Sequence, residues 1–261
     1  MSITTLDGLI AAAKKRVTIQ KTTSRTAVAF VPFSVFDIAG NPGAGTIAVG
    51  NTANGIVPTD VIAGYPMIAT PGASLYINRI MARSSVACWI DLYDCVFSCG
   101  AYTFNADVTL ASQPSYANRL PGTDYNGLEL FIEAATAFTG SQTVQINYLD
   151  QGGAAGDTGA IATGVAPILG RMLAIPLAAG DSGIQQITRV RSSVSTIGTF
   201  NVHVMRWLWS GRINAAYLGI ADNVFRSGLV QIYGDSAIRP VIIADSTATG
   251  LPSVRMETAD G

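Results

Sequence analysis

The stretch Arg83-Ser84-Ser85-Val86 (RSSV) occurs a second time as Arg191-Ser192-Ser193-Val194, which begins 108 residues further along the chain. Neighbouring matches recur at nearly the same distance: Ile77-x-x-Ile80 with Ile184-x-x-Ile187, Pro66 with Pro176, Val96-Phe97-Ser98 with Leu208-Trp209-Ser210, and Thr139-Gly140 with Thr249-Gly250. Offsets that drift by a few residues are expected when two copies of one fold differ only in loop length. The sequence therefore predicts an internal duplication.

The duplication divides the 261-residue chain into four parts. Residues 1–59 form an N-terminal segment with a helix or arm, a strand and a Gly-rich loop. Residues 60–150 form the first β unit, residues 151–167 a Gly/Ala linker, and residues 168–261 the second β unit. If one fold is used twice, Val86 and Val194 should occupy equivalent core positions, and so should Leu92 and Val204.

Apolar residues alternate along residues 89–97 and 201–209, in the period of two that is typical of a β-strand. In both stretches one face is aliphatic and the other carries aromatic side chains, so both faces are expected to be buried. Short strands separated by Gly/Pro turns over two repeats favour an all-β protein, with two related jelly-roll-like β-sandwich units.

Residues 3–16 have the pattern of a short amphipathic helix. Its apolar face comprises Leu6, Leu9, Ile10 and Ala13, and the cluster Lys14-Lys15-Arg16 suits the negative end of the helix dipole. A free helix of this length is marginal in water, so the apolar face needs a surface to cover it. Two possibilities are open: the helix packs on its own domain, or it is an arm that reaches a neighbouring subunit.

The composition favours a protein that assembles. Charged residues make up 13% of the chain and hydrophobic residues 49%, a combination that suggests surface covered by partners. The net charge of −1 lacks the dense positive field that nucleic-acid binding requires. No apolar run is long enough to predict a membrane span. The N-terminus lacks a signal-peptide pattern, because its positive charges follow its apolar residues, and we expect synthesis in a cytoplasm.

The sequence offers little catalytic or metal-binding chemistry. Cys95 and Cys99 are too far apart along a strand for a disulfide, and with Cys88 we expect buried free thiols. The single histidine, His203, lies mid-strand and is expected to be a packed or hydrogen-bonded residue. The motif GDSG at 180–183 resembles the nucleophile segment of serine proteases, but its position predicts a turn. We therefore predict no enzymatic activity, no cofactor and no metal site.

Three segments resemble virion proteins of tailed bacteriophages: RLPGTDYNGLELFIE (119–133), LAIPLAAGDSGIQQI (173–187) and RWLWSGR (206–212). The resemblance is to head-decoration, or cement, proteins with jelly-roll cores, and it covers residues 60–261. It implies a non-enzymatic protein that sits on a capsid lattice, commonly as a trimer.

These observations together predict a homo-oligomeric structural protein of a phage particle, assembled in the host cytoplasm. It would bridge neighbouring capsomers, with itself (as a trimer) and the major capsid protein as partners, and without direct contact to nucleic acid or membrane. The residues expected at a subunit or capsid interface are Leu6, Leu9, Ile10, Lys14, Lys15, Arg16, Trp207 and Trp209. The alternative is a tail- or fibre-associated β-sandwich module that binds a host surface glycan.

Overall fold

A computed structural model describes residues 3, 5–68, 74–164, 166–194 and 196–261. The first nine strands are β1 (Lys14–Lys21), β2 (Pro32–Ser34), β3 (Gly40–Asn41), β4 (Asn51–Ile56), β5 (Ser74–Arg83), β6 (Cys88–Thr103), β7 (Asp107–Thr109), β8 (Leu128–Ala134) and β9 (Thr143–Asp150). The other nine are β10 (Ala155–Asp157), β11 (Ile161–Ala162), β12 (Met172–Ile175), β13 (Ile184–Ser192), β14 (Thr199–Ile213), β15 (Gly219–Asn223), β16 (Val230–Tyr233), β17 (Ile238–Ala244) and β18 (Ser253–Asp260). The other elements in the described residues are two short α-helices, α1 (Leu6–Ala11) and α2 (Val224–Ser227), and 3-10 turns at Ala117–Arg119 and Pro121–Thr123. The predicted all-β class is confirmed.

The chain forms two compact units. The first contains Met1–Thr46, Thr59–Asp94 and Leu208–Gly261, and the second contains Ile47–Pro58 and Cys95–Trp207. These ranges differ from the sequence-based division, because each unit takes strands from both halves of the chain. The stretch expected to be a linker, residues 151–167, also supplies β10 and β11, which pair with β9.

The first unit has one sheet in the order β15-β5-β18-β1-β3, with β16 also paired to β5. In the same unit β17 pairs with both β6 and β2. Pro32, which lacks a backbone donor, lies in the edge strand β2 as its chemistry requires. Alternate side chains of these strands, including Ile19, Ile80 and Val254, fill one apolar core.

The second unit has a sheet in the order β10-β9-β13-β7, with β11 also paired to β9. In the same unit β8 pairs with β12 and β14, and β4 pairs with β6. A separate apolar core contains the inward side chains of these strands, among them Phe97, Ile146, Val190 and Val204.

The strand registers of the two units correspond residue by residue. In the first unit β6 pairs with β17 from Cys88↔Ala244 to Asp94↔Ile238. In the second, β14 pairs with β8 from Phe200↔Ala134 to Arg206↔Leu128. Phe200 lies 112 residues after Cys88, and Ala134 lies 110 residues before Ala244, so a single pair of offsets converts the first ladder into the second. This agreement supports the duplication.

The two copies exchange strands. By sequence, β5, β6, β8 and β9 belong to the first copy, and β13, β14, β17 and β18 to the second. Yet β5 pairs with β18 and β6 with β17, whereas β13 pairs with β9 and β14 with β8. Each unit is therefore built from half of each copy.

One expectation about equivalent core positions is confirmed and the other is wrong. Leu92 and Val204 are both fully buried. Val86 packs against the core of its unit, but Val194 is 69% exposed. RSSV crosses the end of a strand, so its valine falls in a connecting loop, where the two copies differ.

The N-terminal helix is shorter than predicted. Thr5 caps α1 by accepting a hydrogen bond from the Gly8 amide, but the helix ends at Ala11. From Lys14 the chain is already a strand paired with β18, because the β-branched run Val17-Thr18-Ile19 favours extended structure. The basic cluster 14–16 therefore lies on β1 and not in the last helical turn.

Candidate functional site: an arginine-rich sheet face

A polar cluster lies inside the second unit. His203 Nε2 lies 3.0 Å from Glu133 Oε2, and His203 Nδ1 lies 2.8 Å from Ser98 Oγ. Cys95 Sγ is 3.1 Å from the same hydroxyl, and Asn201 Nδ2 donates to Glu133 at 3.2 Å. These five side chains are at most 2% exposed. The cluster confirms the hydrogen-bonded strand histidine predicted from the sequence.

The order carboxylate–imidazole–hydroxyl resembles that of a hydrolytic triad. Asn201 closes the cluster on one side, since it donates to the Ile47 carbonyl at 2.6 Å and accepts from the Val49 amide at 3.2 Å. Burial by itself lowers the pKa of His203, but its contacts with Cys95 and Glu133 raise it, and the net pKa lies above the ordinary 6.5. With every member buried, the cluster satisfies core polar groups and presents no nucleophile to a substrate.

The other residues considered for catalysis or metal binding, the cysteines and the GDSG turn, have structural roles. All three cysteines are buried and free, and burial raises the pKa of Cys99 to about 12, so its thiol stays protonated. In the GDSG turn Asp181 accepts a 2.6 Å hydrogen bond from Tyr148, and Ser182 donates to Asn126. Within the described ranges, no three His, Cys, Asp or Glu side chains are grouped so that they could hold a metal ion.

A surface of different character covers the outer face of the sheet β15-β5-β18-β1 in the first unit. Because side chains alternate along a strand, Val17, Ile19, Ile80, Ala82, Val254 and Met256 point into the core and their neighbours point outward. Cross-strand register arranges the outward residues in three rows: Arg16–Glu257–Arg79–Asn223, Thr18–Arg255–Met81–Ala221 and Gln20–Ser253–Arg83–Gly219. We call this surface the arginine face.

The arginine face holds four exposed guanidinium groups, from Arg16, Arg79, Arg83 and Arg255, and one carboxylate, from Glu257. That carboxylate accepts a 2.9 Å hydrogen bond from Asn78. In the described part of the chain none of the four arginines makes an ion pair or a side-chain hydrogen bond. Elsewhere arginines are matched to acids: Arg25 with Asp37, Arg189 with Asp107, Arg191 with Asp157, Arg212 with Asp245 and Arg226 with Asp222. Four guanidinium groups against the one carboxylate of Glu257 therefore leave an excess of positive charge on the face.

A groove of about 320 Å³ opens at the row that contains Arg83. Its floor is Gln20, Ser253 and Arg83, which are cross-strand neighbours. One wall is the Ser84-Ser85 segment, and Ser85 Oγ accepts a 2.9 Å hydrogen bond from the Leu251 amide. A second groove, of about 410 Å³, continues from the same three floor residues past Met81 and Arg255.

Two backbone features shape the first groove. Gly250 has φ +67°, and a Cβ there would come within 2.6 Å of the Val86 side chain, so glycine is needed for the loop to close on the wall. Tyr217 has φ +63°, and its amide donates to the Ser84 carbonyl at 2.7 Å. Left-handed backbone is unfavourable for a tyrosine, and here it holds a ring that is 78% exposed at the groove's edge.

The predicted interface residues of α1 fall into two groups. Leu6 and Ile10 are 60% and 69% exposed, whereas Leu9 is buried in the first unit. Ala13, the last member of the predicted apolar face, is exposed beyond the end of the helix.

The basic cluster is divided among three roles. Lys14 Nζ donates to the carbonyls of Ala12, at 2.7 Å, and Leu9, so it caps the end of α1. Lys15 is partly buried on β1 opposite Thr258. Arg16 points outward, onto the arginine face.

The two tryptophans expected at an interface also differ. Trp207 is 49% exposed. Trp209 is 2% exposed, packs in the core of the first unit and donates from Nε1 to Asp222 at 2.9 Å. Trp209 is therefore a core residue, which corrects its assignment to an exposed interface. Leu208 is buried as well, so this part of β14 is covered on both faces, although Trp207 is half exposed.

Sequence reasoning missed Arg79, Arg83, Arg255 and Tyr217. The even spacing of Arg79 and Arg83 was a signal that both lie on one face of a strand. Their approach to Arg16 and Arg255 depends on the β1–β18–β5 register, which joins residues far apart in sequence.

No protein-family model and no curated protein sequence matches the chain. Among solved structures, a crystal structure of PirA aligns with a TM-score of 0.19 and 11% identity over 52% of this chain and 95% of that one. A structure of infectious bursal disease virus, Gt strain, aligns with a TM-score of 0.20 and 8% identity over 95% of this chain and 81% of that one. Similarities at these TM-scores carry no argument about function. Among the described residues no helix is long and apolar enough to cross a membrane.

Proposed function

We propose that the chain is a non-enzymatic structural protein of a tailed-bacteriophage particle, a capsid decoration (cement) protein that bridges neighbouring capsomers as a homo-oligomer. The observation that carries the proposal is the uncovered apolar face of α1, where Leu6 and Ile10 are 60% and 69% exposed. Residues four apart in a helix are neighbours, so these two side chains form one apolar projection. Covering each of them would contribute roughly 1.5–3 kcal/mol.

Further exposed apolar side chains in the first unit support assembly. Phe30, Val61, Met67 and Phe225 are each more than 60% exposed. Phe30, like Tyr217, has a left-handed backbone conformation (φ +62°) with its ring directed to solvent. Many exposed large apolar side chains are typical of a protein whose surface is covered by partners. The arginine face would add an electrostatic contact to an acidic shell, which sets orientation more than affinity.

Light scattering on the purified chain tests the assembly. We expect a multiple of the 27.2 kDa chain mass, a trimer in the simplest case, and dissociation when Leu6 and Ile10 are both changed to Asp. Val194→Asp, at an apolar position of the second unit that is 69% exposed, is the matched control and should leave the assembly intact. A wild-type chain that stays monomeric at micromolar concentration would contradict the proposal, as would its absence from the purified source particle by mass spectrometry.

A second candidate is a tail- or fibre-associated module that binds a host surface glycan. The groove beside Tyr217 favours it, since sugar sites usually combine an exposed aromatic ring with arginine and neutral polar groups. The two candidates differ in where the chain is found, and labelled antibodies on intact particles would separate head from tail.

A further inference from the structure

We infer that the first groove, which Tyr217 borders and which we call the Tyr217 groove, forms a binding site for an acidic polysaccharide together with the arginine face. The juxtaposition that points to it is one exposed aromatic ring, an unpaired guanidinium and three neutral polar side chains, those of Gln20, Ser253 and Ser85, all around one open groove. The inference rests on the groove and the arginine face, and it holds whether the chain sits on a head or on a tail.

The neutral part of the site suits a sugar ring. Gln20 and Ser253 reach the floor from adjacent strands, and Ser85 stands on the wall beside the buried Ser84, so one amide and two hydroxyl groups line the groove. Tyr217 supplies a flat apolar face beside them, and its backbone is fixed by the hydrogen bond to Ser84. An apolar face next to convergent polar groups is what orients a small polar ligand.

The charged part of the site suits acidic groups at intervals. Arg83 stands at the groove, Arg255 in the next row, and Arg79 and Arg16 in the row after that. Successive rows are two residues apart along the strands, or about 7 Å. Each guanidinium offers a planar fork that matches a carboxylate or a sulfate. A chain with an acidic group on each repeating unit can therefore follow the second groove from Arg83 to Arg255 and beyond.

Two other polyanions fit less well. A nucleic acid binds by displacing many counterions, which needs a larger positive surface than four arginines on a chain with net charge −1. An acidic peptide would use the arginines, but it has no use for the hydroxyl-lined groove or for Tyr217. The neutral half of the site decides in favour of a polysaccharide.

Titration calorimetry on the full chain at low ionic strength tests the inference. The probes are polygalacturonate, which carries carboxylates, heparin, which carries mainly sulfates, and dextran, which is neutral. We expect heat of binding with polygalacturonate or heparin, the stronger of the two identifying the acidic group, and none with dextran. Arg83→Ala and Tyr217→Ala should each weaken binding by about tenfold or more.

The control is Arg189→Ala, which makes the same change in net charge at an arginine paired with Asp107 in the second unit. It should leave binding unchanged, and thermal unfolding should show that all three variants are folded. Equal loss in the control variant, binding to dextran, or no binding to either acidic polymer would overturn the inference. Poly-glutamate or single-stranded DNA that binds at least as tightly, with no loss in Tyr217→Ala, would overturn it in favour of a peptide or a nucleic acid.

Discussion

His203 Nε2 lies 3.0 Å from Glu133 Oε2, and both side chains are at most 2% exposed. Removing one partner of a buried charged pair leaves the other uncompensated, and the typical cost is about 3–5 kcal/mol. We expect Glu133→Leu to lower the free energy of unfolding by roughly that amount. The double variant Glu133→Leu with His203→Leu should recover part of the loss, because no buried charge is left. Urea unfolding of the two variants measures the difference, and equal losses would mean that the pair is not coupled.

The same pair predicts a pH dependence. The pKa of His203 is raised in the folded protein, so folding favours the protonated ring. This contribution to stability is fully present below the ordinary histidine pKa of about 6.5 and is lost as the pH rises through the higher folded value. Above about pH 6.5 the free energy of unfolding should therefore decrease. The decrease should be absent in His203→Gln, and a wild-type curve that is flat or rising there would contradict the prediction.

Lys21 has the opposite effect at higher pH. Its amino group is buried and donates to the Ile38 carbonyl at 3.0 Å and the Pro42 carbonyl at 3.3 Å. Burial lowers its pKa from 10.5 to about 8, although Asp37 acts to raise it. Between these two values the unfolded chain binds more protons than the folded one, so stability from this group rises with pH. Lys21→Met should remove that rise in stability, measured by urea titrations at several pH values. The control is Arg16→Met, which removes a positive charge at an exposed position of the same strand and should leave the rise in place.

The exchange of strands between the copies predicts how the chain can be cut. A break between Gly152 and Gly153, in an exposed turn, separates β1–β9 from β10–β18. Because β5 needs β18 and β13 needs β9, neither fragment contains a complete unit. We expect each fragment alone to be unfolded or insoluble, and the two to copurify as a folded complex when they are expressed together. If the two fragments fold independently, the prediction is wrong, and the units are the consecutive ranges that the sequence offsets indicate.

The strands and their equivalence could be predicted from the sequence, but the exchange of strands between the copies could not. Alternating apolar residues predict the strands, and the RSSV offset identifies which strands are equivalent, because both are local patterns. Equivalence does not tell whether β18 pairs with β5 or with β13, since either partner would bury the same apolar face. That choice depends on connections and packing across the whole chain.

The arginine face could not be predicted from the sequence either, because it too depends on which strands pair. Arg16, Arg83 and Arg255 look scattered in sequence, and they share a face only because Arg16 pairs with Glu257 and Arg83 with Ser253. The α1 face was visible, because helical spacing is local. Its length was misjudged, because the pairing of residues 14–16 with β18 overrides their helical propensity.

The final prediction concerns the length of the N-terminal arm. A deletion of residues 2–12 removes α1 and the exposed Leu6 and Ile10, but it leaves every pair between β1 and β18 in place. Leu9 is the one side chain of α1 that is buried, and losing it should cost about 2–5 kcal/mol at most. We therefore expect the shortened chain to fold, with a lower melting temperature, and to lose self-association or particle attachment.

A deletion of residues 2–16 should behave differently. It also removes the pairs Lys14↔Ala259, Lys15↔Thr258 and Arg16↔Glu257, so the end of β18 loses its neighbour on one side. The melting temperature should fall well below that of the shorter deletion. The double variant Leu6→Asp with Ile10→Asp separates the two effects, since both positions are exposed and substitutions there should change stability by no more than about 0.5 kcal/mol. If this variant still self-associates and sediments with particles as the wild type does, α1 is not an arm; if it melts as low as the longer deletion, these side chains stabilise the first unit itself.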